Sequence, residues 1–451
     1  MVAIIVCAGT ILANLDLFVV NVGLPDIGRG LHDTRLGDLS WVLNGYSIVY
    51  AALLIPAGRL ADRYRQKHGF LLGAAIFTVA SGACALAVNL PMLVAFRLVQ
   101  ATGAALLVPT SLSLVLGAFP AERRARAVRG WATTGAVAAA LGPVVGGLLL
   151  ETTWRAVFIV NLPVGIAAIA FGAWLLPSTP GQRVALPGPA GTALVIAGVG
   201  ALKFGLVQGG AWGWGSAGIV GTLAASAVAL GLLVVQTLRG SSPIIDPALF
   251  RIRSFSVASV VLMVFSVAFG GLVLSIVLWE QSAWGWSALK AGLGLAPGPL
   301  MVPLCSMLLA GRLIRRFGFP LVAAAGSLVM GGGLIWWAVS ATSTPDYAAG
   351  LLGGTLLGGV GAGLTIPTLI AAATGALPPQ SASTGSGAVN MLRQVTIALG
   401  VAIFVAVLGT PHSASAQRAG FDHAWITLAA FAFAGAVVAL LLHQRERATQ
   451  S

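Results

Sequence analysis

Apolar residues run along most of this chain in stretches of about 20, separated by short polar segments. The runs do not alternate polar and apolar positions, as the strands of a membrane β-barrel do over about 10 residues. A bilayer core about 30 Å thick requires about 20 apolar residues per crossing helix. The pattern predicts an all-α polytopic membrane protein. Fourteen spans are expected, at 2–24, 39–58, 69–88, 91–117, 131–150, 157–176, 189–208, 217–238, 254–279, 288–310, 319–340, 347–372, 388–409 and 422–442. Pro and Gly fall inside several of them, which a membrane tolerates where neighbouring helices re-satisfy the backbone.

Composition agrees with this pattern. Of 451 residues, 58% are hydrophobic and 8% charged, against about 25% charged in a soluble domain. The net charge of +13 reflects membrane topology rather than nucleic-acid binding, because Lys and Arg collect in cytoplasmic loops. Cys7, Cys84 and Cys305 lie far apart in apolar runs, so they offer neither a disulfide framework nor a metal site. The first residues lack the basic segment of a cleavable signal, and the first run is expected to stay as a helix. The chain starts almost directly in that run, which leaves room for a start further upstream.

Charge also sets the orientation. With fourteen spans, seventeen of the 25 Lys and Arg fall on the side of the 59–67 segment, five on the other side and three inside spans. That segment and both termini are therefore expected to be cytoplasmic. The segment itself, Gly58-Arg59-Leu60-Ala61-Asp62-Arg63-Tyr64-Arg65-Gln66-Lys67, is a charged hinge between two apolar runs. A degenerate copy, Gly311-Arg312-Leu313-Ile314-Arg315-Arg316-Phe317-Gly318, follows 253 positions later. A repeat at that distance predicts two related six-helix halves, 1–176 and 253–451. Two inserted helices and a linker occupy 177–252, the linker holding Pro243 and Pro247. Parallel six-helix halves are a transporter architecture.

Several motifs carry a family resemblance. The hinge resembles the cytoplasmic loop signature of the major facilitator superfamily. The run from Leu15-Asp16 to Leu24-Pro25 is similar to the first-helix signature of its fourteen-helix drug–proton antiporters (EmrB/QacA-like). Arg97-Leu98-Val99-Gln100 with Gly103 is similar to the fourth-helix signature. Gly135 and Gly142-Pro143-Val144-Val145-Gly146-Gly147 are similar to the fifth-helix antiporter signature. Trp154-Arg155 and Asn161-Leu162-Pro163-Val164-Gly165 match the opening of the sixth helix, and 281–292 and 390–400 resemble later helices. Two departures stand out. Arg65 and Gln66 replace the usual Gly and Arg, and Arg315 in the copy replaces Asp62, which confines any ion-pair role to the first half. The resemblance implies export driven by a proton gradient, without a bound cofactor.

The polar residues inside spans are the candidate machinery. Asp16 and Arg97 fall at the same expected depth, roughly 10 Å below the outer interface at 1.5 Å per residue. An intramembrane carboxylate is functional by default. Burial penalises its charged form and a neighbouring guanidinium supports it, so a site poised between them can load and release a proton. Asp16 is read as the proton-coupling carboxylate and Arg97 as its modulator, against a plain structural pair. Gly58, Asp62, Arg63 and Lys67 are read as a gating loop, with Asp62 pairing with a cation or a helix N-terminus, against a solvated loop. Gly142, Pro143, Gly146 and Gly147 give a close-packed, bent helix, set against the opposite half. Glu280, at the outer end of the ninth span, is either an exposed loop residue or a cation or proton site. With Asn390, Arg393 and Gln394 it is the expected substrate cavity. Lys203 is expected to snorkel to the interface.

Other functions are excluded. Lys67, Lys203 and Lys290 are followed by His, Phe and Ala, so no phosphate-binding Gly-Lys-Ser/Thr loop is present. No cluster at ligand or catalytic spacing points to an enzyme or a metal. The reading is proton-coupled efflux of hydrophobic or cationic drugs across the cytoplasmic membrane by alternating access. The partners are the small substrate, protons and the lipid bilayer, with no nucleic acid, and the protein works as a monomer. A dedicated metabolite or siderophore exporter, or a proton-coupled importer, is the alternative.

Overall fold

Local chemistry marks where the helices begin. Asn89 extends its backbone and accepts a hydrogen bond from the Met92 N–H (2.9 Å), with Pro91 in the first turn. This closes one of the four donors a helix start leaves open. Ser287 does the same for Lys290, and the Asp346 side chain for Ala349. Pro120 precedes the helix-forming run Ala121-Glu122-Arg123-Arg124. The stretch expected as a loop at Arg123, Arg124, Arg126 and Arg129 is therefore helical, ten residues ahead of the expected start.

The computed structural model describes residues 2–31, 39–177, 188–239, 247–375, 377–378, 381–409 and 413–448. Arg183 and Pro243 of the expected loops lie outside these residues. The helices are α1 (Val2–Gly30), α2 (Trp41–Tyr64), α3 (Gln66–Ala85), α4 (Leu90–Ala118), α5 (Ala121–Leu150) and α6 (Asn161–Leu175). They continue as α7 (Pro189–Trp212), α8 (Ala217–Arg239), α9 (Arg253–Ser282), α10 (Ala288–Leu295) and α11 (Pro297–Leu304). Last come α12 (Gly311–Ser340), α13 (Gly353–Gly375), α14 (Ala382–Leu408) and α15 (Ala414–Ala448). Among the described residues, eleven segments are long and apolar enough to cross a bilayer. This is a multi-pass membrane protein. The spans expected at 288–310 and 319–340 run together in one 52-residue segment, the apolar part of α1 is Ile4–Val20, and α5 does not stand among the eleven.

The chain divides into two units. The first comprises Met1–Ala127, Leu141–Ile252 and Ala376–Met391; the second comprises Val128–Ala140, Arg253–Gly375 and Leu392–Ser451. In the first unit α3 meets α4 backbone to backbone. A Cβ on Gly103 would lie 2.6 Å from the Phe77 nitrogen and 2.8 Å from the Gly73 carbonyl oxygen. In the second unit α12 meets α13 in the same manner, a Cβ on Gly361 lying 2.6 Å from the Gly326 oxygen. Gly73 and Gly326 are themselves 253 positions apart, the separation of the hinge and its copy. Small residues drive helix pairing in a membrane because close backbones gain dispersion contacts that lipid does not supply.

The second unit is built around aromatic rings. Trp279, Trp337, Trp425, Phe404 and Phe421 are at most 1% exposed. Trp425 donates to the Ser275 hydroxyl (3.0 Å) and Trp337 to the Leu351 carbonyl (2.9 Å), so these two indoles keep their polar tips satisfied. The Trp337 ring lies wholly inside this core. Trp284 is buried and donates to the Thr342 carbonyl. Trp174 and Trp336 do face outward.

Candidate functional site

Four helices of the first unit bring polar side chains to one buried point, and α2 adds a carbonyl and a ring. Asp16 on α1, Arg97 and Gln100 on α4, Asn161 at the start of α6, and Ser81 on α3 have no exposed surface. Arg97 Nη1 donates to Asp16 Oδ2 at 2.5 Å and to Gln100 Oε1 at 2.7 Å. Arg97 Nε donates to the Val42 carbonyl of α2 at 3.1 Å. The other carboxylate oxygen, Asp16 Oδ1, accepts from Gln100 Nε2 (3.0 Å) and Asn161 Nδ2 (2.8 Å). Asn161 also donates to the Ser81 hydroxyl, which donates to the Phe158 carbonyl. Tyr46 of α2 lays its ring against the guanidinium, 4.2 Å from centroid to Cζ, a cation–π contact strengthened by exclusion of water.

The Asp16–Arg97 pair expected from depth alone is thus present. A single ion pair taken out of water is costly unless the remaining donors and acceptors are met. Here three donors serve one carboxylate, and the pair carries no net charge. Gln100, Asn161, Ser81 and Tyr46 were not named as site residues. Gln100 follows Arg97 by one helical turn, so both lie on one face. Asn161 is a lone amide opening an apolar run. Those two signals were available. Ser81 and Tyr46 carried none, because hydroxyls and rings are common in apolar helices.

The hinge is tied at both ends within the same unit. Asp62, 1% exposed, closes on the first turn of α14. Its Oδ1 accepts from the Ser383 N–H (2.9 Å) and its Oδ2 from the Thr384 N–H (2.8 Å) and hydroxyl (2.7 Å). A carboxylate there meets the open donors and positive end of the helix. Lys67 does the converse, donating to the Ala173 and Leu176 carbonyls at the C-terminal end of α6, both at 2.8 Å. Gly58 lets α2 approach, since a Cβ would lie 2.5 Å from the Ser383 carbonyl oxygen. Arg63 and Arg59 flank Asp62, and Arg59 is 7% exposed. Asp62 is thus buried in the hinge, while Arg63, Tyr64 and Arg65 beside it are exposed. The turn itself needs no glycine: Arg65 is extended, at φ 171° and ψ 130°. In the copy, Gly318 occupies the matching position with φ 79°, a value that favours glycine.

The other expected residues are dispersed. Gly142 and Gly146 of α5 turn to α1, where a Cβ on Gly142 would meet Phe18 and one on Gly146 would meet Val19 at 3.4 Å. The close packing is present, and the partner of these two glycines is α1, the first helix of the same unit. Pro143 and Gly147 are helical neighbours in α5, and the Pro143 side chain lies outside the described residues. Asn390 donates to the Ser386 carbonyl of its own helix and belongs to the first unit. Arg393 and Gln394 follow on α14 in the second unit, half-buried. Glu280 is fully buried on α9, which corrects the exposed-loop alternative. Its neighbours include Gly294 and Trp286. Lys203 is 2% exposed and does not snorkel.

The profile of the Major Facilitator Superfamily matches residues 6–401. The chain belongs to the Major Facilitator Superfamily. Members of this superfamily are transporters rather than enzymes. The chain is 34% identical over 436 residues to the methylenomycin A resistance protein of Streptomyces coelicolor, covering 96% of this chain and 88% of that protein. It is 32% identical to the cephamycin export protein CmcT of Amycolatopsis lactamdurans, over 99% of this chain and 93% of that one. Among solved structures it superposes on the human organic anion transporter MFSD10 with a TM-score of 0.69 at 15% identity, covering 97% and 98% of the two chains. That last likeness bears on the superfamily fold alone.

Proposed function

We propose that this chain exports hydrophobic or cationic drugs from the cell in exchange for protons, by alternating access in the cytoplasmic membrane. The observation that carries the coupling is the buried Asp16 network. A proton reaching Asp16 removes the charge that holds Arg97, and the three donors around the carboxylate lose a strong acceptor. Loading and unloading that proton therefore repacks α1, α4 and α6 together. Drug as the cargo is supported by relatives that bear resistance and export names over nearly the full chain.

The finer architecture belongs to the same reading. Dividing the 52-residue segment at Gly318, and adding α1 and α5, brings the crossings to fourteen, arranged as six, an inserted pair and six. The excess of Lys and Arg beside the hinge supports cytoplasmic termini. The Asp62 contacts on α14 then act as a cytoplasmic latch that holds one state and opens in the other. A monomer suffices for this cycle.

Export of one dedicated compound is the second reading, favoured by relatives named for single antibiotics. The test is accumulation of ethidium and an antibiotic panel, methylenomycin A and cephamycin included, in cells with and without this chain. Proton-driven export lowers accumulation, and a protonophore restores it. Insensitivity to the protonophore rejects the proton-driven reading. Activity confined to one compound selects the dedicated exporter.

A further inference from the structure

The second unit holds a carboxylate left without partners among the described residues. Glu280 has no exposed surface, and neither of its oxygens has a hydrogen-bond partner. The contrast with Asp16, which accepts three hydrogen bonds beside a guanidinium, is complete. A charged carboxylate buried without donor or counter-ion is among the costliest arrangements in a protein. A positive charge delivered to it removes that cost.

The surroundings say how small that charge must be. Gly294 of α10 is packed so closely on Oε1 that a Cβ there would collide with it, and the Trp286 ring lies 3.1 Å from the same point. The Tyr347 hydroxyl is committed to the Gly294 carbonyl (2.6 Å), and its ring stands 5.9 Å from that of Trp286. The Gly294 backbone and the Trp286 ring thus stand directly beside the carboxylate.

Nor do the charged groups on the packed elements reach Glu280. Lys290 on α10 lies over the Trp286 ring, at 4.4 Å. Arg418 on α15 is bonded to Asp422 and to the Ala338 carbonyl. His423, also on α15, donates nothing to Glu280, and Asp346 caps its own turn. Along α13, and along α12 beyond the hinge copy, no charged residue occurs.

We propose that Glu280 is a second proton-binding carboxylate, in the second unit, that takes up and releases one proton in each transport cycle. This assigns Glu280 to protons and removes it from the substrate cavity. The inference rests on the proton-driven reading above, and the experiment separates the two.

The purified chain in lipid is stepped in pH while infrared difference spectra record the carbonyl stretch of protonated carboxylic acids. A band lost in Glu280→Gln but kept in Asp16→Asn and Glu280→Asp is expected. If Glu280→Gln loses no band that Asp16→Asn keeps, the site is overturned. This arm needs no transport. In liposomes, the proton gradient that just halts ethidium export gives the proton-to-ethidium ratio, which is expected to fall by one in Glu280→Gln. An unchanged ratio overturns the part Glu280 plays in the cycle. Proton-independent export by the unmodified chain would reject the proton-driven reading and, with it, that part, leaving the band as the measure of the site. Elution as a single species by size exclusion, as for the unmodified chain, shows that the variants are folded.

Discussion

Asp16 and Asp62 are both buried carboxylates, and their partners make them different instruments. Asp16 is met by side chains, one of them charged. Asp16→Asn keeps the shape but replaces one acceptor oxygen with a donor beside Arg97. Proton-coupled ethidium transport in vesicles with an imposed pH gradient is expected to disappear; full coupling would reject the assignment. Asp16→Ala strands the guanidinium, a loss of about 3–5 kcal/mol, and is expected to lower the yield of folded chain. Asn161→Ala removes one neutral donor, about 1 kcal/mol, and is expected to reduce transport only a few-fold. Asp62 is met chiefly by backbone N–H groups, so only an acceptor fits. Asp62→Asn turns an NH2 group toward at least one of those donors, at a cost of about 1–3 kcal/mol. Efflux is expected to fall at least tenfold while membrane insertion, read by protease protection, stays intact.

At the scale of the element, the two hinges share a sequence pattern and differ in what packs against them. Gly58 lies against the Ser383 backbone, which cannot yield, whereas a Cβ on Gly311 would meet the flexible ends of Arg129, at 3.3 Å, and Arg315, at 4.0 Å. Gly58→Ala is therefore expected to overpack the α2–α14 contact, about 1–3 kcal/mol, and to impair efflux. Gly311→Ala is expected to be near neutral. Equal effects in an efflux assay would show that the hinge works through its charges alone. Lys67 supplies the matching cap on α6, a contribution of up to about 1 kcal/mol. Lys67→Met is expected to leave insertion intact and lower the midpoint of thermal unfolding by at most about one degree.

At the scale of the whole molecule, the charge distribution makes one further prediction. Fluorescent protein fused after Ser451 is expected to fluoresce, and alkaline phosphatase fused there to stay inactive, because both report a cytoplasmic end. The reverse result would invert the orientation and place the Asp62 latch on the outer face. The hinge and its copy share a 253-residue offset with Gly73 and Gly326, each of which packs closely on a neighbouring helix of its own unit. Asp62 has no counterpart in the copy, where Arg315 stands at the matching position.

Run length and composition were enough to read a helical, multi-pass membrane protein, because a bilayer imposes its thickness on each apolar run and leaves few charges inside. The same rule exposed Asp16 and Arg97, since any charge in such a run is conspicuous, and equal depth suggested the pair. Helix ends were less legible. The arginines of α5 looked like a loop because topology rules count charge, while Pro120 and good helix formers carried the helix through them. Partner identity was not legible at all. Whether Glu280 met water or protein, which helix Asp62 would cap and which surface the α5 glycines would face are set by contacts between residues up to 322 positions apart. One sequence pattern is compatible with many such contacts. Packing selects among them, because in lipid each buried polar group must find its partner in another part of the fold, and where it finds none, as at Glu280, the group is available for chemistry.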